Sequence, residues 1–455
     1  MQHEYRDSAW SWLVLFCVLC CQILLGGICL LGGMYYIVFT NALGENPVEI
    51  SWLCSLPASM WFLASPAGSV LTNRYGYRVC SFVGGVLAAG GLSISYFAVD
   101  STFLFISYGF LTGIGLGINY NGCMSAINIY FDKYKTLAHG ISSIGNNVGL
   151  ILFSEFILVL EEHFGWRGML LIQGGIMFNL CACAVVMFPV KMGSDRDKNQ
   201  QQSHSVTNLS KPVKTRLMNF SILKKLSFAC LCASHVFFNF SYGVFILHLP
   251  SYSRDIGFGK NDYGSLFLSH GICNIIGKVF YSFLGHHPEI NVIFVYTISL
   301  FATGICMGLT PVLLTRTGIL AIAGIVGFLS CVTGALINAV VIKIVGFRRF
   351  SDGIGMSLPF KATGNMIGGP VAGALFKSTG SYAFSFYMAG ASMICSSCLM
   401  IYPIVHERTS RRTCKETDIK IISEKDLRFI VDDTMESTDV VEKQCESGHF
   451  LNSDK

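Results

Sequence analysis

Two lysines lie within long apolar segments of this chain, where a charge is costly. Lys278 lies in the second half of the segment 263–285, and Lys361 in the first half of 353–375. A charged side chain at the centre of a bilayer costs about 2.5–3.5 kcal/mol on insertion scales, so it usually faces a cavity or a partner. We expect Lys278 to bind an anionic group such as a carboxylate and Lys361 to be a second cation of the site. The alternative is that both long stems extend to the headgroups.

Amide side chains occur in the same kind of segment and could bind a polar solute. Asn274 precedes Lys278 by about one helical turn. Amides inside a helical bundle either hold helices together or line a cavity. The further residues that we expect at the site are Asn119, Asn121, Asn146 and, as an aromatic wall, Phe360.

Few groups in these segments could carry a proton. Glu155 is the one clear carboxylate, and His270 is accompanied by His235 and His248. Histidine exchanges a proton near neutral pH. Glu155 and His270 are therefore the candidates for proton coupling. The simpler alternative is that Glu155 is interfacial and that the histidine is hydrogen-bonded within a helix bundle.

Twelve apolar stretches carry these residues, and each is about as long as the ~20 residues that a helix needs to cross a bilayer. They are spans 1–6, at 12–39, 51–72, 79–98, 103–128, 137–160 and 168–189, and spans 7–12, at 226–249, 263–285, 292–311, 318–345, 353–375 and 383–404. Only helices and closed barrels satisfy their backbone polar groups in lipid, and continuous apolar runs of this length are helices. The sequence therefore predicts an all-α polytopic membrane protein.

A polar insert divides the spans into two sets of six, which predicts two lobes. We expect an N-terminal lobe at 1–190, a linker at 191–225, a C-terminal lobe at 226–404 and a disordered tail at 405–455. Only 13% of the residues are charged and 52% are hydrophobic, whereas a soluble domain has about 25% charged residues. Six-plus-six spans are typical of secondary transporters whose site lies between two repeats.

Lysine and arginine residues indicate how the spans are oriented. Cytosolic loops of membrane proteins carry an excess of both. With the N-terminus in the cytosol, most of the 32 Lys and Arg residues fall on the cytosolic side. We therefore expect both termini and the linker in the cytosol. The formal net charge of +5 reflects this bias and does not indicate a nucleic-acid partner.

Three short motifs lie at the ends of spans. They are Asp7-Ser8-Ala9-Trp10-Ser11-Trp12, Tyr130-Phe131-Asp132-Lys133-Tyr134-Lys135-Thr136-Leu137-Ala138-His139-Gly140 and Phe164-Gly165-Trp166-Arg167-Gly168. Tryptophan suits the membrane interface because its ring is apolar and its N–H is polar. Gly140, Gly145 and Gly149 should allow neighbouring helices to approach closely.

Together these motifs resemble those of the monocarboxylate transporter family of the major facilitator superfamily. The residues that carry the resemblance are Asp7, Trp10, Trp12, Tyr130, Phe131, Lys133, Gly140, Trp166 and Arg167. The resemblance implies the major facilitator fold, with twelve transmembrane helices in two six-helix lobes. It also implies transport of small organic anions across the plasma membrane, with a single-span ancillary glycoprotein as a partner.

The departures from the family pattern concern proton coupling. Proton-coupled members carry a lysine in span 1, and here Gly32 or Gly33 occupies that place. Those members also carry an acid and an arginine four residues apart in span 8, where this chain has Asn274 and Lys278. The resemblance thus implies a divergent member, for which we expect facilitated diffusion or exchange rather than tight proton symport.

The sequence leaves the cargo open. Besides a short monocarboxylate, an aromatic amino acid, a thyroid-hormone-like solute or a creatine-like solute fits the resemblance to divergent members. A membrane sensor or scaffold that has lost transport is a further alternative, because several motif positions differ. No catalytic arrangement of paired carboxylates, no histidine-rich metal cluster and no nucleophile elbow is recognised in the sequence. We therefore expect neither an enzyme nor a cofactor or metal.

Overall fold

The polar insert and the tail limit the part of the chain that can be described. The computed structural model describes residues 6–44, 46–188, 220–259, 262–287, 290–346, 349–407 and 409. Most of the predicted linker 191–225 and nearly all of the predicted tail 405–455 lie outside these ranges, so the predictions made for them stay predictions.

Helices form the regular structure of spans 1–6. They are Ala9–Cys29 with Gly32–Leu43 (span 1), Pro47–Tyr75 (span 2), Tyr77–Ile94 (span 3), Thr112–Tyr130 (span 4) and Lys135–Met177 with Asn179–Val186 (spans 5 and 6). Span 1 is helical as predicted but in two parts, because the helix breaks at Leu30 and Leu31. Glycine pairs lie on both sides of this break, and glycine is a weak helix former.

Spans 7–12 are also helical. Their helices are Leu226–Asp255 (span 7), Tyr263–His286 (span 8), Val292–Leu309 (span 9), Arg316–Ser330, Val332–Ala335 and Ile337–Val345 (span 10), Phe350–Thr379 (span 11) and Ala383–Leu399 (span 12). Each of the twelve predicted spans therefore contains helix.

Within the described ranges, nine helical runs are long and apolar enough to cross a bilayer. One of them, Lys135–Val186, contains both span 5 and span 6. The helices of spans 2 and 11 are long enough but do not meet the same standard of apolarity. Each contains two prolines, and each also contains acidic and basic residues near its ends. Polar residues are expected where a helix faces the interior of a bundle instead of lipid.

Gly165 makes the corner between spans 5 and 6. Its φ of 66° and ψ of 173° are non-helical, and a left-handed φ is readily available only to glycine. The neighbouring Arg167 donates from Nη2 to the Ala98 carbonyl at 3.0 Å and lies over the Trp166 ring at 4.9 Å. This family motif therefore fixes a change of chain direction between two spans.

Glycine also sets how closely spans 1 and 5 approach each other. A Cβ added at Gly149 would overlap the Ile23 carbonyl, and one at Gly145 would lie 2.9 Å from the Leu19 carbonyl. The prediction of close helix contact is thus confirmed for these two glycines. It is wrong for Gly140, which has nothing within 4 Å of its added Cβ.

The other two motifs contact each other. The Asp7 carboxylate accepts from the Lys133 amide at 3.1 Å, and the Asp7 amide donates to the Tyr130 carbonyl at 3.0 Å. Trp12 packs edge-on against Phe131 with ring centroids 5.5 Å apart, and Trp10 lies 5.8 Å from Phe188. The first motif therefore ties the start of span 1 to the end of span 4.

The largest contacts between the first half of the chain and the second are those of spans 2 and 11, spans 5 and 8, and spans 1 and 7, and spans 2 and 7 also touch. The contact between spans 2 and 11 is tight, since a Cβ added at Gly373 would lie 2.9 Å from the Pro47 carbonyl. The contact between spans 5 and 8 brings the Ile151 side chain within 2.7 Å of a Cβ added at Gly271. Residues up to Ile401 form one compact unit, and a second unit begins at Tyr402, of which the part up to Glu407 is helical.

Candidate functional site

A cavity of about 240 Å³ lies among the spans of both halves. Its walls come from spans 1, 2 and 5 of the first half and from spans 7, 8, 10 and 11 of the second half. The break in the span 1 helix reaches this cavity at Leu30 and Gly32. Typical pockets for drug-sized ligands measure about 300–1,000 Å³. The cavity therefore suits a smaller solute.

Both predicted lysines line the cavity. Lys278 Nζ donates to the Ser143 carbonyl of span 5 at 2.8 Å, so it already bridges the two halves of the chain. Within the part of the chain that the structure describes, no hydrogen bond or ion pair is found for the Lys361 ammonium. Lys361 is thus the lysine with more freedom to take an external partner.

The charge of these lysines is not balanced by the cavity wall. Among the described residues that line the cavity there is no Asp or Glu. The ion pair between Arg316 and Asp262 is elsewhere, and that arginine is exposed. Charges held away from water are costly unless they are paired. An anionic solute would supply the missing partner.

Amides from both halves surround the lysines. Asn274 lines the cavity and donates from Nδ2 to the Gly327 carbonyl at 3.0 Å. Asn146 also lines the cavity, and its buried Oδ1 has no hydrogen-bond partner in the described ranges; neither has Nδ2 of Asn147 beside it. Buried amide groups without a partner are rare in folded proteins. These amides therefore retain hydrogen-bonding capacity that a polar solute could use.

Aromatic rings form part of the wall. Trp61 and Phe62 of span 2 are stacked with their centroids 4.6 Å apart, and Phe238 and Tyr242 of span 7 are stacked at 5.7 Å. Aromatic side chains give a cavity apolar area in a fixed geometry. The site accordingly combines two cations and several amides with an apolar wall.

Three residues expected at the site lie outside the cavity lining. The Asn119 side chain is 1% exposed and donates to the Ser81 carbonyl of span 3 at 2.8 Å. Asn121 donates to the Gly117 carbonyl one turn earlier in its own helix. Both amides thus hold backbone within the first half of the chain. Phe360, although it precedes Lys361, is also not part of the lining.

The two candidates for proton coupling also lie away from the cavity lining. The exposed Glu155 carboxylate packs against Gly264, where spans 5 and 8 meet. His270 is buried, with Nδ1 placed to donate to the Ala323 carbonyl at 3.1 Å and Nε2 3.1 Å from the Tyr242 hydroxyl. Because Tyr242 lines the cavity, His270 holds the hydroxyl of a cavity residue without lining the cavity itself.

Several cavity residues were not expected from the sequence. Asn365 of span 11 lines the cavity and donates to the Ser55 carbonyl at 3.2 Å and to Ser59 Oγ at 3.0 Å. Its position four residues after Lys361 is the signal that could have identified it. Trp61 and Tyr242 have no such signal, because they are two among many aromatic residues in apolar segments.

Comparison with known proteins agrees with this architecture. Residues 12–357 match the family model described as Major Facilitator Superfamily. Human monocarboxylate transporter 12 is 26% identical over 441 residues, which is 91% of this chain and 85% of that protein. Monocarboxylate transporter 13 of Bos taurus is 26% identical over 401 residues, which is 88% of this chain and 90% of that protein. Monocarboxylate transporter 4 of Gallus gallus is 28% identical over 403 residues, which is 87% of this chain and 82% of that protein.

The family model covers most of the chain, and the fold is that of a multi-pass membrane protein with a cavity between two sets of helices. The chain therefore belongs to the major facilitator superfamily, as a divergent member of its monocarboxylate transporter family. This is a family of transporters and not of enzymes.

Proposed function

We propose that this protein carries small organic anions, of the monocarboxylate type, across the plasma membrane by alternating access. The observation that carries the proposal is a central cavity with two lysines and no carboxylate among its described lining residues. A carboxylate would accept from Lys361 and Lys278, and the unpartnered Oδ1 of Asn146 would accept from a hydroxyl or ammonium donor elsewhere on the cargo. The names of the relatives, all monocarboxylate transporters, support this substrate class.

In this proposal the lobes at 1–190 and 226–404 rock about the cavity, and no bond of the solute is made or broken. Both termini are cytosolic, in keeping with the distribution of lysine and arginine. A single-span ancillary glycoprotein would accompany the carrier, as the family membership suggests.

An aromatic carboxylate, such as an aromatic amino acid, is a second candidate for the cargo. The stacked pairs Trp61–Phe62 and Phe238–Tyr242 on the wall favour it, since a planar apolar group packs well against aromatic rings. A creatine-like solute has a guanidinium beside its carboxylate, and this positive group suits the two lysines less well because like charges repel.

The experiment that tests the proposal measures uptake by vesicles containing the purified protein. The probes are labelled short monocarboxylates, each compared with its neutral amide, and an aromatic amino acid, compared with its amide, which lacks the carboxylate. Uptake by protein-free vesicles is subtracted. Saturable uptake of a carboxylate, with no saturable uptake of its amide, is the expected result. A protein that takes up none of the probes would instead fit a sensor or scaffold.

We expect uptake to depend only weakly on an inward proton gradient. The place of the span 1 lysine is taken by glycine, and Gly33 has no room for a side chain because its added Cβ would lie 2.9 Å from the Leu247 carbonyl. Asn274 is an amide and cannot carry the proton. The measurement compares initial uptake at external pH 6 and pH 8 with a cargo whose charge does not change between them. A steep increase at pH 6 that disappears in Glu155→Gln would contradict this expectation and identify Glu155 as the coupling group.

A further inference from the structure

Besides the hydrogen bonds of Lys278 and Asn365 across the cavity, the two halves of the chain make close helix contacts at one end of it. Spans 2 and 11 touch near Pro47 and Gly373, and spans 1 and 7 touch near Gly33 and Leu247. Spans 5 and 8 touch near Ile151 and Gly271. In the proposed orientation this is the extracellular end, because it contains the start of span 2 and the start of span 8.

Three aromatic side chains close this end. The hydroxyl of Tyr36, in span 1, lies 3.2 Å from that of Tyr382, at the start of the span 12 helix. The His248 ring of span 7 lies against both, 5.0 Å edge-on from Tyr36 and 5.1 Å stacked from Tyr382. Tyr36 is 1% exposed, Tyr382 is 2% exposed and His248 is fully buried. Water therefore does not reach these side chains from outside.

The second half of the chain holds its part of this cluster rigidly. His248 Nε2 is placed to donate to the Gly369 carbonyl at 3.2 Å, which links spans 7 and 11. Phe376 of span 11 stacks on the Tyr382 ring with centroids 4.0 Å apart and an interplanar angle of 10°. Tyr382 and His248 thus move with the second half, whereas Tyr36 moves with the first half.

At the other end of the cavity the lining residues are less buried. Phe62, Lys278 and Thr333 are partly exposed, and Gly334 is exposed. The structure is therefore closed at the Tyr36–Tyr382 end. Separation of the two halves at this end must break the hydrogen bond between the two tyrosines, because each hydroxyl belongs to a different half.

We propose that the Tyr36–Tyr382 hydrogen bond, supported by the His248 ring, is a gate that sets how often the cavity opens at its extracellular end. The proposal rests on the proposed alternating-access function. The gate does not bind the cargo; it stabilises the conformation that is closed at this end. Loss of the hydrogen bond should shift the population toward the conformation that is open there.

Cys54 provides a native probe of this opening. It lies in span 2, lines the cavity and is 4% exposed. A membrane-impermeant maleimide is applied to one side of sealed membranes at a time, and modification of Cys54 is quantified by peptide mass spectrometry, with Cys54→Ser as the labelling control. In the wild-type protein we expect slow modification from the extracellular side. Tyr36→Phe keeps the ring and removes the hydroxyl, and should raise that rate about two- to tenfold, the factor that one ordinary net hydrogen bond supplies.

The adjacent Tyr35 supplies a matched control. It is buried in the same helix, and its hydroxyl donates to Gln173 Oε1 at 2.9 Å, within the first half of the chain. Tyr35→Phe removes an equivalent hydrogen bond without uncoupling the two halves, so Cys54 should react as in the wild type. Tyr382→Phe removes the other hydroxyl of the Tyr36–Tyr382 hydrogen bond and should reproduce the effect of Tyr36→Phe.

Equal reactivity of Cys54 in Tyr36→Phe, Tyr382→Phe and Tyr35→Phe would overturn the gate. Faster modification only in the two gate variants supports it. Because labelling needs no cargo, the result separates the gate from the proposed substrate class. If Cys54 is labelled faster in the two gate variants but the wild-type protein takes up no organic anion, the gate is supported and the proposed anion transport is refuted.

Discussion

Lys361→Gln is expected to raise the half-saturating concentration of a carboxylate cargo about tenfold to hundredfold. Lys361 lines the cavity, and within the described part of the chain its ammonium has no protein partner. A hydrogen bond to a charged group contributes about 1.5–3 kcal/mol, and each 1.4 kcal/mol is a factor of ten in affinity. The measurement is the concentration dependence of initial uptake in vesicles with matched amounts of protein.

Lys278→Gln should have the larger effect and abolish carboxylate uptake. The substitution removes the proposed contact with the cargo. It also removes the hydrogen bond to the Ser143 carbonyl, which joins the two halves of the chain. Lys278→Arg should retain uptake and alter selectivity, because arginine offers a planar, two-pronged donor where lysine is a compact point charge. Lys343→Gln is the control, since Lys343 is in span 10 outside the cavity lining. Normal uptake in both Lys278→Gln and Lys361→Gln would mean that the negative charge of the cargo does not hold it.

Gly149→Ala is expected to destabilise the protein severely. The added methyl group would overlap the Ile23 carbonyl and lie 2.9 Å from the Gly27 amide nitrogen. Both are backbone atoms of span 1, so no rotamer change relieves the clash and the helices of spans 1 and 5 must separate. Overpacking of this kind costs about 1–3 kcal/mol or more. Thermal unfolding of the detergent-solubilised protein, followed by size-exclusion chromatography, measures the loss.

Gly175→Ala is the matched substitution for this experiment. Gly175 is also a glycine of a membrane helix, but its added Cβ meets nothing within 4 Å. It should unfold at the wild-type temperature or slightly above, because alanine favours helix over glycine by up to ~1 kcal/mol. Equal stability of the two variants would show that spans 1 and 5 do not pack as closely as the structure has them.

The number and position of the spans could be predicted because lipid leaves the backbone few choices. What the apolar pattern did not indicate is where a helix breaks or bends. The break at Leu30 and Leu31 lies inside an unbroken apolar run, and only the flanking glycines hint at it. Spans 2 and 11 illustrate the converse, because polar residues such as Ser55, Lys361 and Asn365 interrupt their apolar pattern where they line the cavity.

The cavity was harder to anticipate residue by residue. Lysines could be picked out because a charge in lipid is so costly, and both Lys278 and Lys361 line the cavity. Amides carry no such penalty once they bond to backbone, so Asn119 could not be distinguished from Asn146 by residue type. Asn119 bonds to the Ser81 carbonyl, which only the packing of spans 3 and 4 reveals. The gate was equally hidden, because Tyr36 and Tyr382 are 346 positions apart in the chain.

The cavity is proposed to select its cargo by negative charge. Selection by charge is tested by measuring uptake of a carboxylate and of its neutral amide by vesicles that contain the wild-type protein or the double variant Lys278→Gln, Lys361→Gln. We expect saturable uptake of the carboxylate by the wild type, none by the double variant, and no saturable uptake of the amide by either. Carboxylate uptake that persists in a folded double variant, or wild-type uptake of the amide at a similar rate, would contradict it.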